Sequence, residues 1–528
     1  MHLRVLTMIV AIALLVSAIS PVSALATSAA PVFTLRATYT TGLGSLSGET
    51  VAFGRNRMYV TNSVGNSLDI VDLSNIDAPS RITRIDLSPY GAGPNSVAAR
   101  GNLVAVAVEA DPKTDPGSVV FFNPDGRYLN HVRVGALPDM LTFSPNGRLL
   151  LVANEGEPND TYTIDPYGTI SIIPVSGNIR RLRDHDVIHI GFSEFEVGGA
   201  YRDQFDPATR IFGPTANDPD AVQKNLEPEY ITVTADNQFA YVTLQENNAI
   251  AKIDLRFFCV EWVRSLGLKD HSIAGHGLDA SDRDSAINIT TWPVFGMYQP
   301  DAIATYKVRG QTYLVTANEG DAREYSGFNE EIRVGSSRYQ LDPTVFPNAT
   351  SLKVNAALGR LTVSNASGDI DGDGDFDQIH VFGGRSFSIW DAEGRLVFDS
   401  GDQIEQIVAT TYPTFFNSNN DENNFDSRSD NKGPEPEGLA IGRIGQRAYA
   451  FVGLERQGGV MIFDISTPNA PVFVQYINNR DFGGASVGPD SGPEIVTFVP
   501  ANRSPSGRAL VLVANEVSGT VSVYEADR

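Results

Sequence analysis

The sequence predicts an all-β chain, a seven-bladed β-propeller with loop insertions, on three observations. A unit of short apolar strands recurs seven times, turn formers are abundant at 48 Gly and 30 Pro, and the last unit lacks a fourth strand that the N-terminal segment can supply. Each unit opens on a polar residue, usually after Pro: Glu49, Asn95, Asp139, Glu229, Asp301, Glu437 and Glu494. Second strands follow at a nearly constant offset, from RMYVTNS to LVLVANEV, and third strands run from SLDIVDLS to TVSVYEA. The extended segment FTLRATYT at 33–40 is expected to complete the last blade and close the ring. Insertions are expected at 156–225, 269–298, 321–360 and 402–436. Two stacked β-sandwiches are the competing architecture, and they do not repeat one motif seven times.

The composition bounds the function. Among 528 residues, 63 Asp and Glu against 40 Lys and Arg give a net charge of −23, which excludes a partner held mainly through a phosphate backbone, so no nucleic acid. A single cysteine, Cys259, excludes an intrachain disulfide and a cysteine zinc site. Residues 1–30 read as a secretory signal: Arg4, an apolar run from Val5 to Ile19, then small-residue sites at 24–26 and 28–30. The run is short for a membrane anchor, and no later window is apolar for eighteen residues. The expectation is a secreted or periplasmic monomer, with 31–528 as one propeller domain and no membrane span in the mature protein.

The repeat has a chemical consequence. The seven unit-opening residues should surround one axial channel, and the second-strand ends Asn62, Glu109, Glu155, Glu246, Glu319, Glu455 and Glu516 should form a wider ring beside them, twelve carboxylates in all. That many like charges need protons, basic partners or hard cations. Arg323, Arg428, Lys432 and Arg456 offer a salt-bridge network, while Asp139, Glu229, Asp301, Glu437 and Glu494 suit Ca²⁺ or a second divalent metal. Apart from the rings, Asp369, Asp371, Asp373, Asp375 and Asp377 alternate as in the first half of a calcium loop, with Gly374 at the sharp turn and His380 where the closing Glu belongs. A solvated acidic hairpin is the alternative.

Other constellations are weaker. His185 and His189 are four apart but in strand-like sequence, and KDHSIAGHGLDASDRD at 269–284 either reaches over the channel mouth or caps itself as a polar loop. No nucleophile elbow, zincin motif or P-loop is present.

The segments FNSNNDENNFDSRSDNKGPEPEGLAIG, LPDMLTFSPNGRLLLVANEGEPN and GRLTVSNASGDIDGDGDFDQIHVFGGRSFSIWDAEG resemble the choice-of-anchor I family of extracellular proteins, over nearly the whole mature chain. The family includes an atypical secreted alkaline phosphatase and mesenchyme-specific cell-surface glycoproteins linked to biomineralisation. Because the sequence stops after the last blade strand, free secretion is expected rather than surface attachment. The resemblance implies hydrolysis of a small phosphorylated substrate; on so acidic a scaffold that chemistry has to be metal-assisted, and the residues around the rings give Glu155 or Glu319 as candidate base and Arg428 or Arg456 to neutralise the phosphate. A non-catalytic calcium-binding scaffold at an extracellular or mineral surface is the other reading.

Overall fold

The computed structural model describes residues 30–483 and 488–527, so the expected secretory signal lies, but for Ala30, outside the described residues. The chain is all-β and propeller-like in arrangement. Seven antiparallel sheets of four strands follow one another along the described chain, with two two-stranded sheets and one three-stranded sheet beside them. The first strands of the sheets are Val51–Gly54, Gly93–Arg100, Pro138–Phe143, Pro228–Val233, Ile303–Val308, Pro436–Ile444 and Pro493–Val499. Each packs against the first strand of the next sheet, and Pro493–Val499 also packs against Val51–Gly54. Side chains cross these seams: the Thr243 hydroxyl donates to the Asp301 carbonyl at 2.8 Å, and the Thr497 hydroxyl to the Val51 carbonyl at 2.7 Å.

Sequence pattern and layer agree. Middle strands are covered on both faces by neighbouring sheets, so they are largely apolar, as in Leu103–Glu109 (LVAVAVE), buried but for its two end residues, and Ala249–Asp254 (AIAKID), buried throughout. Outer strands such as Ser80–Asp86 face solvent and are polar. Two-residue hairpins close where positive φ is tolerated: Arg55 and Asn56 (φ 54° and 57°) join Val51–Gly54 to Arg57–Asn62.

Phe33–Thr40 pairs antiparallel with Thr520–Ala526, from Phe33 opposite Ala526 to Thr40 opposite Thr520, and so becomes the outer strand of the last sheet. Phe33 packs edge-on against Phe451 at 5.3 Å, and Phe451 stacks on Phe498 at 5.5 Å, tying the chain ends to the sixth sheet.

The insertions depart from their expected bounds. The stretch 156–225 contains the last two strands of the third sheet, Thr169–Pro174 and Ile188–Ile190. The fifth sheet is interrupted from 319 to 385, beyond the expected 360, because Gln311–Asn318 pairs directly with Ser386–Asp391. The insertion at 269–298 and this one then fuse: Phe295–Met297 pairs with Leu268–Asp270 and, in parallel, with His380–Val381. Their shared core includes Leu278, Val294, Tyr339, Leu358 and Val381.

Phe451, fully buried between the sixth and seventh sheets, gives a direct check. Phe451→Ala should lower unfolding free energy by about 3–5 kcal/mol. Chemical denaturation followed by far-UV circular dichroism reads this as a lower midpoint at unchanged slope.

Candidate functional site

The seven unit-opening residues meet in one place. Glu49, Asn95, Asp139, Glu229, Asp301, Glu437 and Glu494 line a single cavity of about 90 Å³, joined by Glu319. Four of them follow a Pro that is the first residue of its strand, at Pro138, Pro228, Pro436 and Pro493. Proline has no N–H to leave unpaired at a strand start facing the cavity, so the next side chain is presented without an orphaned backbone donor.

The second ring is less regular than the sequence implies. In the ladders, Pro94, Pro138, Pro228, Pro436 and Pro493 face Val108, Asn154, Leu244, Leu454 and Asn515, so the equivalent ring position is the next residue of each second strand. By that register Glu109, Glu155, Glu455 and Glu516 hold the position, but in the fourth sheet it is Gln245, not Glu246. In the first sheet it is Ser63, because Asn62 is the counterpart of Asn154: both turn their amides to the third strand, Asn62 towards Ser67 and Asn154 to Ser171. The Ser63 hydroxyl donates to Glu49, and Gln245 Nε2 donates to Glu319 at 2.9 Å. With Glu319 the second ring has five carboxylates rather than six.

Two groups of three carboxylates bring oxygen atoms within 4.8 Å of one another at the cavity: Asp139, Glu155 and Glu229, and Asp301, Glu319 and Glu437. Glu155 and Glu319, expected as general bases, are thus among the candidate ligands themselves. Burial first, then neighbouring carboxylates, pushes Glu49, Glu155, Glu229, Asp301, Glu437 and Glu494 well above the usual carboxylate range and Asp139 up to about 7.

The basic residues are spent one layer further out. Lys432 pairs with Glu319 at 2.9 Å and Glu435 at 3.3 Å, Arg456 with Glu435 at 2.9 Å and Glu455 at 3.1 Å, and Arg428 also binds Glu435. Despite its burial, Glu435 is held well below the ordinary range by Lys432, Arg428 and Arg456. Arg428 and Arg456, expected to face a phosphate, both grip this glutamate. Arg323 pairs with Glu227 at 2.9 Å, and Lys113 with Glu157. Among the described residues no Lys or Arg pairs with Asp139, Glu229, Asp301, Glu437 or Glu494, and Glu437 Oε2 is a buried atom that no donor reaches. A carboxylate set of this kind, enclosed and without basic partners, fits hard divalent cations.

The aspartate loop is exposed and separate. Asp369, Asp371 and Asp377 approach within 4.8 Å of one another, while Asp373 and Asp375 lie outside that group. Asp369 accepts the Gly372 and Gly374 N–H at 2.8 and 3.1 Å, and both glycines have positive φ. His380 is buried in its strand, bonded to Gln378 at 2.8 Å, and takes no part in the loop. The 269–284 segment does not line the cavity. His271 is buried, its Nδ1 against the His276 carbonyl at 2.6 Å, and Asp279 accepts the Asn288 N–H, so the loop is held by its own polar groups. His189 sits on an outer strand against Ser171, and His185 is exposed.

Sequence reading missed Glu227, Glu435, Glu157 and Lys113. The available signal was the repeated Glu-Pro-Glu at 227–229 and 435–437, whose first glutamate is neutralised while the second faces the cavity.

The choice-of-anchor I domain matches residues 50–468. Gigasin-3a of Magallana gigas is 33% identical over 190 residues, 33% of this chain and 66% of its own length. The mesenchyme-specific cell surface glycoprotein of Strongylocentrotus purpuratus is 31% identical over 341 residues, 58% of this chain and 41% of its own length. The matches thus span just under two thirds of the first relative and well under half of the second. Among solved structures, Kuenenia stuttgartiensis hydrazine synthase has a TM-score of 0.45 at 13% identity, covering 92% of this chain and 97% of that one. The β-propeller domain of Myceliophteria thermophila Cps50 (Swd1) has a TM-score of 0.44 at 10% identity, covering 93% and 99%.

The raised carboxylates set a pH dependence. With chelator present, the folded protein retains protons that the unfolded chain has released. Their stabilising contribution is therefore complete below the ordinary carboxylate range and lost as pH rises through about 7 for Asp139 and about 8 for Glu455. Calorimetric melting in EDTA should show Tm falling between pH 5 and pH 9, and excess Ca²⁺ should remove most of that fall.

Proposed function

Because the chain belongs to the choice-of-anchor I family, we propose that it is an extracellular, seven-bladed propeller, closed by its N-terminal strand, that holds divalent cations, calcium foremost, in its axial cavity. The observation that carries this reading is the pair of carboxylate triads, Asp139 with Glu155 and Glu229 and Asp301 with Glu319 and Glu437, gathered at one cavity, where among the described residues Glu319 alone of the six pairs with a basic side chain, Lys432. Location outside the cell is supported by the family and by a relative that is a cell surface glycoprotein. Among the described residues no helix is long and apolar enough to cross a membrane. The aspartate loop is a second calcium position, with Asp369, Asp371 and Asp377 as its ligands.

A second reading, hydrolysis of a small phosphomonoester, is favoured by the two triads sharing one cavity, the arrangement two cations need to flank a phosphoryl group. Bound cations would polarise the phosphoryl oxygens and acidify a water. The chain's own part is to hold Asp139, Glu229, Asp301 and Glu437 in place from four strand starts, while Glu494, close by and outside both triads, is free to take the water's proton. Arg456, part-exposed beside Glu455, offers a positive charge to an entering anion.

Calcium titration by isothermal calorimetry of the secreted protein tests the first reading. Glu437→Gln and Glu229→Gln should each weaken axial binding by roughly tenfold or more, and Asp371→Asn should remove a separate site. Unchanged isotherms would overturn it. Release of p-nitrophenol from its phosphate ester at alkaline pH tests the second. Cation-dependent turnover lost in Glu437→Gln supports hydrolysis, and calcium binding without turnover leaves a scaffold.

A further inference from the structure

We propose a further divalent-cation site, for calcium by its oxygen-only donors, held by Asp426 and Asn417 where the Asn- and Asp-rich segment 417–431 docks against the helix Gln403–Thr411 and the 269–298 insertion. It lies outside both the axial triads and the aspartate loop.

Charge points to it first. Asp279, Glu405 and Asp426 are buried together, at 0%, 1% and 2% exposure. Among the described residues the single cation between them is Arg385, bonded to Glu405 Oε1 at 2.8 Å and to the Asp279 carbonyl at 2.7 Å. The neighbouring charges that bear most on Asp426 are those of Asp279, Asp284 and Glu405, all negative. The other arginines here are committed: Arg333 and Arg360 each meet Asp430 at 2.8 Å, and Arg428 holds Glu435. Three buried carboxylates against one guanidinium leave two negative charges, which one divalent cation balances.

Unsatisfied atoms mark the position. Asp426 Oδ2 and Asn417 Oδ1 are both buried, and among the described residues neither has a hydrogen-bond partner. The amide orientation of Asn417 is fixed by chemistry: its nitrogen lies 2.8 Å from Glu405 Oε1, which can only accept, so the oxygen must face away from Glu405. The two side chains meet through one hydroxyl, since Ser429 Oγ donates to Asp426 Oδ1 and accepts from Asn417 Nδ2 at 2.9 Å. The neighbouring Ser418 Oγ is a third buried oxygen without a partner. Both Asn417 and Asp426 hold positive φ, 44° and 69°, the left-handed region that Asn and Asp enter more readily than other side chains. Buried polar atoms are nearly always satisfied. Three unsatisfied oxygens beside uncompensated negative charge are the donor set a hard cation takes.

A proton on Asp426 is the competing way to quiet the charge, and the test separates the two. Native mass spectrometry of the full secreted protein with calcium alone should show one Ca²⁺ fewer per chain for Asp426→Asn than for wild type, with the losses caused by Glu437→Gln and Asp371→Asn unaffected and additive. An unchanged count would overturn the site. So would an Asp426→Asn protein that melts higher than wild type in chelator and binds as much calcium, the outcome for a protonated acid. Should Asp426→Asn fail to fold, anomalous diffraction from a wild-type crystal grown in calcium decides. A peak between Asp426 Oδ2 and Asn417 Oδ1 is expected, and calcium peaks elsewhere with none there would overturn the proposal.

Discussion

Convergence of like charge governs this molecule. Seven first strands begin at one cavity, so whatever opens them is held against the others, and in six of seven that residue is a carboxylate. Two such charges 4 Å apart repel by about 4 kcal/mol at the effective dielectric of a partly buried site. Core packing between the sheets fixes the strands and leaves the side chains no room to retreat, so the repulsion has to be met by protons or cations. Basic side chains were available to meet it, and the fold uses them elsewhere. Lys432, Arg428 and Arg456 converge on Glu435, and Arg323 on Glu227, each one layer outside the cavity.

The Glu-Pro-Glu stretches show how one segment serves both layers. In an extended strand, residues two apart face the same way. Glu435 and Glu437 do not behave so, because Glu435 sits at φ 54°, which turns the chain just before Pro436 starts the strand. The first glutamate is left against three cations and the second in the cavity. Leu137 and Gly492, at φ 45° and 71°, make the same turn before Asp139 and Glu494 without carrying a charge. Gln299, at φ 41°, makes it before Asp301, whereas Glu227 makes no such turn before Glu229. The turn is therefore independent of the outer glutamate, and both outer glutamates sit where basic residues from an insertion hold them.

Legibility follows from the same distinction between repeat and insertion. The first ring could be read because each of its members sits at a fixed place after a turn, and the fold brings all seven to one cavity. The second ring was misread at Asn62 and Glu246 because register is decided by bulges near the strand start, as between Pro228 and Ile231, and not by which residue happens to be acidic. The insertions were placed but poorly bounded, since their pairings are non-local: nothing adjacent in sequence says that Phe295–Met297 lies alongside His380–Val381. For the same reason the partners of the basic residues were invisible. Arg323 and Glu227 are 96 residues apart, and Lys432 and Glu319 are 113 apart.

These long-range partners connect the insertions to the occupancy of the cavity. The Tyr325 hydroxyl donates to Glu157 at 2.7 Å, the Gly327 N–H to the Asp160 carbonyl at 2.7 Å, and Asn420 to Glu455 at 2.8 Å. Segments from the third and fifth sheets are thereby pinned to each other, and the Asn-rich segment is pinned to a second-ring carboxylate. Lys432 closes the circuit, since it bonds Glu319 of the cavity wall together with the Gly320 carbonyl at the start of the fifth-sheet insertion. A cation held by Asp301, Glu319 and Glu437 would share Glu319 with Lys432. The cavity and the insertions therefore share carboxylates, Glu319 through Lys432 and Glu455 through Asn420, so that the ring and the loops that surround it are held by one set of charges.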